Sequence, residues 1–222
     1  MARLKKETAP KRKPLKKKKK PRGRAPGRSA VAMTLGEYDA LAEKVDAFFV
    51  RVHGRYRAEM QCAEGCSECC GHHLTVSVVE AESMARTLAT RDAATRKRLA
   101  DRAASLGEGE GPCPALEDDG RCAVYEGRPL VCRSHGAPMY VGSAALPVVK
   151  EGDPPEEGDA IKCCHLNFPD RQLDHVDPDC VLDLVNMAAT LAVVNARAAP
   201  DGQAAALRRV LIGDVLRAAH SR

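Results

Sequence analysis

Cysteine is the residue type whose spacing in this sequence points most directly to chemistry. Four cysteines stand within nine residues: Cys62, Cys66, Cys69 and Cys70. The two residues between Cys66 and Cys69 let both sulfurs of a tight turn reach one metal ion, and Cys62 lies one turn earlier. Cys70 follows Cys69 directly, so its side chain should point toward a second metal or another face of a cluster. Because adjacent cysteines rarely form a disulfide with each other, the segment predicts metal ligation.

A second set of cysteines follows downstream. The segment from Cys113 to Cys122 predicts a small hairpin turned at residues 119–120, which would place its two cysteines near each other. Pro129 is suited to the first turn of a short helix that carries Cys132 one turn in. These three cysteines are predicted to form a second group of metal ligands.

Two arginines flank Cys132 in the sequence. Arg128 and Arg133 could offset the negative charge that four thiolates leave around a dication. The alternative is that each arginine forms an ordinary surface ion pair.

A second adjacent pair, Cys163 and Cys164, is expected to complete the metal site with one of its two thiols, and Cys164 is the predicted ligand. His72 or His73 could also reach a metal bound by the first cluster. Cys180 is instead predicted to be a small buried side chain. The predicted metal ligands are Cys62, Cys66, Cys69, Cys70, Cys113, Cys122, Cys132 and Cys164.

Composition predicts a cytoplasmic protein with a core of small apolar residues. The sequence has no run of about 18 uncharged apolar residues, and its charged N-terminus is not followed by the apolar segment of a secretory signal. In the cytoplasm the ten cysteines would stay reduced and available to metals. Aromatic residues make up only 3% and Trp is absent, so the cysteine site is expected to supply part of the stability.

The N-terminal segment carries most of the excess positive charge. Residues 1–30 contain 14 of the 35 Lys and Arg residues but one of the 30 acidic residues, so the rest of the chain is acidic. Residues 1–32 are predicted to be a disordered basic arm, and residues 33–222 one cysteine-cluster domain. Residues 1–30 could bind nucleic acid or another polyanion without sequence specificity. The alternatives are a solubilising tail, or translation that starts at Met33.

Apolar residues at helical spacing predict a mainly α fold. Thr34 and Glu37 form the capping-box pattern that would start a first helix. Ser77 and Glu80 repeat this pattern for a second helix, and a third is predicted over residues 93–106. The first helix would bury one apolar face, made of Tyr38, Leu41, Val45, Phe48, Phe49, Val52 and Tyr56.

The C-terminal half predicts an irregular segment and then two helices. Residues 134–162 are expected to form a loop with one strand pair, Asp177 and Pro178 to begin a helix, and residues 202–219 to form the last one. The buried side of the former helix would consist of Val181, Leu184, Val185, Ala188, Leu191, Ala192 and Asn195. The expected architecture is a small helical domain with a short hairpin and irregular loops wrapped around a multi-cysteine metal centre.

In combination, these features resemble the YkgJ-type cysteine-cluster family of zinc- or iron-chelating domains over about residues 60–170. The resemblance implies a mostly helical, metal-holding cytosolic protein. Flagellin lysine N-methylases are similar in their cysteine segment, which makes a 4Fe-4S cluster a candidate. The doubled Cys163-Cys164 departs from the family pattern and leaves the last ligand open. The matching elements are the four-cysteine cluster, Cys113-Pro114 with Leu116 before Gly120-x-Cys122, Tyr125, the run from Arg128 to Arg133, and a downstream cysteine followed by Leu-Asn-Phe.

Three functions of different classes are consistent with the sequence. The first is a cytoplasmic metal-binding protein, since eight thiolates suit two tetrahedral zinc sites or one iron–sulfur cluster with spares. The second is an iron–sulfur-dependent modifying enzyme resembling flagellin lysine N-methylase. The first three cysteines also have radical S-adenosylmethionine spacing, but Glu68 replaces the usual aromatic residue and the following chain is shorter than a full barrel of about 200 residues. The third is a nucleic-acid-associated protein that uses the basic arm.

Overall fold

A computed structural model describes residues 28–107, 111–142, 161–198 and 207–220. Within these ranges the fold is mainly α, which confirms the predicted class, and none of the helices there is long and apolar enough to cross a membrane. Residues 1–27 of the predicted arm lie outside the described residues. The helices are α1 (Arg28–Arg55), α2 (Val78–Ala89), α3 (Ala93–Ser105), α4 (Leu130–Ser134), α5 (Leu184–Ala198) and α6 (Ile212–His220).

Short strands between these helices form two small sheets. The strands are β1 (Thr75–Val76), β2 (Met139–Tyr140), β3 (Ile161–Lys162), β4 (Leu182–Asp183) and β5 (Val210–Leu211). Strand β1 pairs antiparallel with β5, and β2 lies between antiparallel β3 and parallel β4. The pairing of β2 with β3 agrees with the one strand pair predicted within residues 134–162, of which residues 143–160 lie outside the described part of the chain.

Helix α1 begins at Arg28, so the predicted start at Thr34 is wrong. The backbone before Thr34 is already helical, so its amide is not one of the unpaired groups that a capping box would satisfy. Thr34 is buried, and Glu37 pairs with Arg197 of α5 at 2.8 Å. The predicted apolar face is confirmed by the burial of Tyr38, Val45, Phe48 and Val52.

Helices α2 and α3 begin where the sequence predicts, because the residues that cap each helix lie within three positions of one another. The Ser77 amide donates a hydrogen bond to Glu80 Oε2 at 2.8 Å, and the Ser77 side chain accepts from the Glu80 amide, so the predicted capping box is confirmed. At the start of α3, Asp92 Oδ1 accepts a hydrogen bond from the Thr95 amide at 2.8 Å. Helices α2 and α3 pack against α6, and the three helices share a core with Met84, Leu99 and Leu216 among its members.

The helix predicted to begin at Asp177 begins instead at Leu184. Asp177 Oδ1 accepts a hydrogen bond from the Asp179 amide at 3.0 Å, but this cap serves only a single 3-10 turn, Pro178–Cys180. The chain then extends into β4, whose pairing with β2 interrupts the helical path. Beyond β4, Asp183 Oδ1 accepts from the Asn186 amide at 2.9 Å and so caps the true start of α5.

The predicted buried side of α5 is also partly wrong. Val185 is 49% exposed, whereas Met187 and Val194 are buried against the α1 core cluster around Tyr38. Asn195 was expected at the point where the apolar side ends, yet it is 2% exposed. Its side-chain Oδ1 accepts a hydrogen bond from the Val79 amide at 3.0 Å, so this polar residue is buried because it satisfies the first turn of α2.

Cys180 is 0% exposed and packs in a third core cluster with Val52, Met60 and Phe168, which confirms the prediction of a small buried side chain. Cys62 and Cys163 pack against the edge of the same cluster. The cysteine-rich segments therefore lie on the margin of the core rather than within it.

Protein stability is expected to fall as the pH drops below about 6.5, the ordinary pKa of histidine. His73 is buried, and its Nε2 accepts a hydrogen bond from the Gly213 amide at 2.9 Å, which requires a neutral ring. Burial lowers the pKa of His73, Arg217 lowers it further, and Asp214 opposes the shift. As the pH falls, His73 therefore takes up a proton in the unfolded chain before it does so in the folded protein. The stability that is present above the unfolded pKa is lost as the pH falls toward the lower folded pKa, by at most about 1.4 kcal/mol per pH unit.

Urea unfolding between about pH 7.5 and pH 5.5 measures this effect. The variant His73→Gln should be less stable at neutral pH but should show a shallower loss of stability on acidification. Equal slopes for the variant and the parent protein would contradict the role given to His73. Burial also lowers the pKa of His135, so the comparison with His73→Gln is what isolates one histidine from the other.

Candidate metal centre

The first cysteine cluster lies directly against the hairpin. The Cys113 amide donates a hydrogen bond to the Cys70 carbonyl at 2.7 Å. At the hairpin tip Gly120 has φ +82°, and a Cβ on it would lie 2.7 Å from the Gly65 carbonyl oxygen. Only glycine allows this close approach of two turns, so residue 120 is constrained both by its backbone conformation and by its neighbour.

The hairpin itself is confirmed in outline, but its turn differs from the prediction. Leu116 and Cys122 form an isolated antiparallel bridge, and the Glu117 amide donates a hydrogen bond to the Arg121 carbonyl at 2.7 Å. Residues 118–120 therefore form a three-residue loop, with Gly120 in the left-handed region, rather than a two-residue turn at 119–120. Cys113 and Cys122 still lie near each other, as expected.

Asn167 connects the third cysteine segment to the first. Its Oδ1 accepts a hydrogen bond from the Gln61 amide at 2.7 Å, and its Nδ2 donates to the Gly136 carbonyl at 2.7 Å and to Cys62 Sγ at 3.2 Å. Asn167 is 2% exposed, so these bonds are shielded from water. Sequence reasoning did not assign Asn167 a role, although it belongs to the Leu-Asn-Phe run that carries part of the family resemblance.

Glu80 is a second residue whose role at this centre the sequence did not reveal. While Oε2 accepts from Ser77, Oε1 accepts a hydrogen bond from the Leu130 amide at 3.1 Å. Leu130 is the first residue of α4, the helix that carries Cys132. One buried carboxylate thus caps two helices and orients Cys132 relative to α2.

All ten cysteines are free, and charge interactions divide most of them into two groups. The first, the inner group, consists of Cys70, Cys113, Cys122 and Cys132. Burial raises the pKa of Cys132 to about 12, and the charges of Cys113 and Cys122 raise it further. Burial likewise raises the pKa of Cys113 to about 11, with the Cys122 charge as a further cause. A hydrogen bond with Cys69 lowers the pKa of Cys70, while burial and the charges of the other three thiols oppose that shift.

The second, the outer group, consists of Cys62, Cys66, Cys163 and Cys164. Burial raises the pKa of Cys62, the hydrogen bond from Asn167 lowers it, and the charges of Cys66 and Cys164 raise it again. Burial raises the pKa of Cys163, and the charges of Cys164 and Cys62 raise it further. The thiols of each group therefore repel one another when ionised, and a shared cation would relieve that repulsion.

Cys69 lies between the two groups. Its hydrogen bond with Cys70 is the main cause that raises its own pKa, and burial adds to the shift. Its charge also raises the pKa of Cys62 in the outer group and of Cys113 and Cys132 in the inner group. The thiols of Cys69 and Cys70 thus lie close together, and the expectation that Cys70 points toward a second metal or another face of a cluster stays a prediction.

The donor set fits a soft or borderline metal, because thiolates favour Zn, Cu(I) and iron–sulfur clusters. Within the described ranges, however, no group of three or more Cys, His, Asp or Glu side chains is arranged so that it could hold a metal ion. Binding would therefore require the cysteine side chains to turn toward a shared ion. His73 already accepts a backbone hydrogen bond through Nε2, and His72 is exposed, so neither histidine adds to the thiol groups.

The arginines beside Cys132 both pair with Asp46 of α1. Arg128 Nη2 lies 3.1 Å from Asp46 Oδ1, and Arg133, which is 7% exposed, donates to Asp46 Oδ2 and to the Arg128 carbonyl. This is an ion pair, but a largely buried one rather than the surface pair considered from the sequence. Arg128 also acts on a thiol: burial raises the pKa of Cys122, and the Arg128 charge opposes the shift.

Replacing Gly136 by alanine is expected to disturb Cys62. Gly136 has φ +100°, and a Cβ there would lie 2.6 Å from Cys62 Sγ. The variant should lose about 1–3 kcal/mol to backbone strain and should also bind less metal, because Cys62 is displaced. The matched control is Gly142→Ala, where φ is +72° and the new Cβ would lie 3.1 Å from Val185 Cγ2. Equal metal content in the two variants, measured by elemental analysis, would contradict this prediction.

Comparison with known proteins adds a family-level finding. Residues 61–146 match the model of the CxxCxxCC family, described as a putative zinc- or iron-chelating domain. The match contains seven of the eight predicted ligands, and Cys164 lies beyond it. Neither a curated protein nor a solved structure matches the chain.

Proposed function

We propose that this protein binds zinc or iron through cysteine thiolates, because residues 61–146 match the model of the CxxCxxCC family. The observation that carries the proposal is that hydrogen bonds hold cysteine segments distant in sequence together: the Cys113 amide donates to the Cys70 carbonyl at 2.7 Å, and Asn167 Nδ2 donates to Cys62 Sγ at 3.2 Å. A cation shared by such thiols would replace their mutual repulsion by attraction.

The eight predicted ligands divide into two sets of four under this proposal. One site would use the inner group, and the other would use Cys62, Cys66, Cys69 and Cys164. Four thiolates suit either a tetrahedral zinc ion or a 4Fe-4S cluster. Cys163 is left out, because its Sγ lies 3.3 Å from the Cys164 carbonyl oxygen and 3.6 Å from that of Asn167, as expected for a thiol that donates to carbonyl groups.

Elemental analysis and visible spectroscopy of protein purified without oxygen test the proposal. A colourless preparation with about two zinc ions per chain supports two zinc sites, whereas a brown preparation with broad visible absorbance supports an iron–sulfur cluster. Cys132→Ser and Cys66→Ser should each lose the metal of one site, while Cys180→Ala should lose none. A cooperatively folded protein that binds no stoichiometric zinc or iron under these conditions would contradict the proposal.

Two finer points belong to the same proposal. Ten free cysteines suit the reducing cytoplasm, where thiols remain available to metals. The 14 basic residues within positions 1–30 would supply salt-dependent attachment to nucleic acid or another polyanion. Because α1 begins at Arg28, deletion of residues 1–27 tests the second point without shortening a helix. Polyanion binding that survives this deletion would exclude the arm as its cause.

A further inference from the structure

The outer face of α5 is apolar although it is exposed, with Val185 at 49% and Val193 at 54%. The exposed polar residues of the helix, Asn186, Thr190 and Arg197, lie together at one edge of this face. On its opposite side α5 packs against the core around Tyr38. A helix that is apolar on both sides is normally buried, whereas a surface helix has a charged or polar outer face. The outer face consists of Val185, Ala188, Ala189, Ala192, Val193 and Ala196.

The chain leaves β2 beside the first turn of this outer face. Strand β4 leads directly into α5, and β2 runs parallel to β4 with Tyr140 opposite Asp183. Gly142 therefore comes level with Val185, and a Cβ on Gly142 would lie 3.1 Å from Val185 Cγ2. Residues 143–160, which connect β2 to β3, thus begin next to the outer face, at its N-terminal end.

The sequence that follows Gly142 suits the outer face in composition and length. Residues 144–149 contain no polar or charged side chain, whereas residues 150–160 are net acidic. Pro147 favours an extended backbone at the residue before it. Six extended residues span about 20 Å, close to the length of about 22 Å of a 15-residue helix. The 11 residues 150–160 reach about 36 Å when extended, so they can return to β3 from the far end of α5.

We propose that residues 144–149 of the same chain dock along the outer face of α5 and cover it. The contact is apolar on both sides, since valine and alanine side chains of α5 would lose water against Leu146, Val148 and Val149. Docking would remove from solvent an apolar surface that otherwise favours self-association. The docking site shares no residue with the two thiol groups, so docking and metal binding hold or fail independently of each other.

A second copy of the chain would need a larger surface than the outer face provides. One face of a 15-residue helix is a strip of about 22 Å by about 10 Å. Two such strips would bury well below the roughly 1,200 Å² of a specific interface between proteins. A segment of the same chain needs no such area, because its high effective concentration makes a modest contact sufficient.

Limited proteolysis of the full-length protein tests the docking, with elastase, which cleaves after small apolar residues, and a glutamate-specific protease as probes. Ala189→Asp places a charge in the centre of the outer face, whereas Thr190→Asp places the same charge at its polar edge. We expect elastase to cleave within residues 144–149 about tenfold faster in the first variant than in the parent protein, because cleavage follows the population of the undocked form. The second variant should be cleaved at the parent rate. Cleavage after Glu156, outside the docked residues, should be the same in all three proteins.

Changes in the connection itself provide a second test that leaves α5 intact. Leu146→Ser combined with Val148→Ser should weaken docking, so that an apolar dye such as 8-anilinonaphthalene sulfonate binds the uncovered outer face with increased fluorescence. The matched control is Pro154→Ser combined with Pro155→Ser, in the acidic part of the connection, which should leave dye binding unchanged. If Ala189→Asp does not melt cooperatively, this pair of double variants decides.

Light scattering on the same samples identifies what covers the outer face. A parent protein whose mass is unchanged by Ala189→Asp supports docking of its own segment. A dimer that dissociates on this substitution would show that a second copy covers the face, and would overturn the proposal. Equal elastase cleavage in the parent and both aspartate variants, or equal dye binding in the two double serine variants, would also overturn it. Neither result depends on bound metal, so the proposed function is tested separately by metal content.

Discussion

Cys132→Ser is expected to lower the melting temperature of the metal-loaded protein more than the substitution of any other single cysteine. Cys132 lies in α4, and its charge interacts with the hairpin thiols Cys113 and Cys122 and with Cys70, so a metal in the inner group would join three chain segments. Binding of a structural metal contributes directly to the free energy of folding, by about 10–16 kcal/mol for zinc in small peptides. Loss of even about 3 kcal/mol would lower the melting temperature by about 6–12 °C in a chain of this size.

Differential scanning calorimetry with parallel metal analysis checks this expectation. Cys66→Ser, which changes the exposed cysteine of the outer group, should cause a smaller shift. Cys180→Ala serves as the control for loss of a buried cysteine that joins neither group. Prolonged chelation should bring the parent protein to the melting temperature of Cys132→Ser or below it. A Cys132→Ser protein that melts together with the parent would show that the inner group contributes nothing to stability through a metal.

Asp46→Ala is expected to destabilise the protein by about 2–4 kcal/mol. Asp46 is the carboxylate that neutralises both Arg128 and Arg133, and Arg133 is buried. Removal of one partner leaves a buried charge without compensation, at a cost of about 3–5 kcal/mol when both groups are buried. Because the Asp46 side chain is 37% exposed, the expected cost lies at or below that range.

A double-mutant cycle separates the ion pair from the loss of packing. Asp46→Ala combined with Arg133→Met should be more stable than the sum of the two single changes predicts, since the buried charge is absent. The control is Asp101→Ala, which removes an exposed pair with Lys97 on α3 and should change the free energy of unfolding by less than about 0.5 kcal/mol. If the changes in unfolding free energy of Asp46→Ala and Arg133→Met simply add up in the double variant, the buried-pair interpretation would be contradicted.

Elements whose signals are local in sequence could be predicted, and those that depend on distant partners could not. Ser77 and Glu80 are three residues apart, so their capping box is readable from the sequence alone. Asp177 carries an equally good cap signal, yet the helix fails there because β4 must pair with β2, more than 40 residues earlier. No sequence pattern around Asp177 predicts the pairing of β4 with β2.

The same distinction applies to the metal centre. The cysteine spacing predicts ligation and the convergence of three segments from residue type and local turns alone, and the ligation stays a prediction. It could not reveal Asn167, whose bond to the Gln61 amide spans 106 positions, or the second hydrogen bond of Glu80, to an amide 50 positions away. Nor could it divide the thiols into two groups, since that depends on which way Cys69 and Cys70 turn.

The antiparallel pairing of β2 with β3 has a consequence for how this chain tolerates changes in length. Met139 lies opposite Lys162 and Tyr140 opposite Ile161, so the two ends of the connection between these strands are held side by side by backbone hydrogen bonds. Lengthening a connection whose ends are already adjacent costs little, since the entropy of loop closure grows only logarithmically. A whole fluorescent domain could thus be inserted between β2 and β3 to report the subcellular location of the protein, without any change to the residues of the two thiol groups.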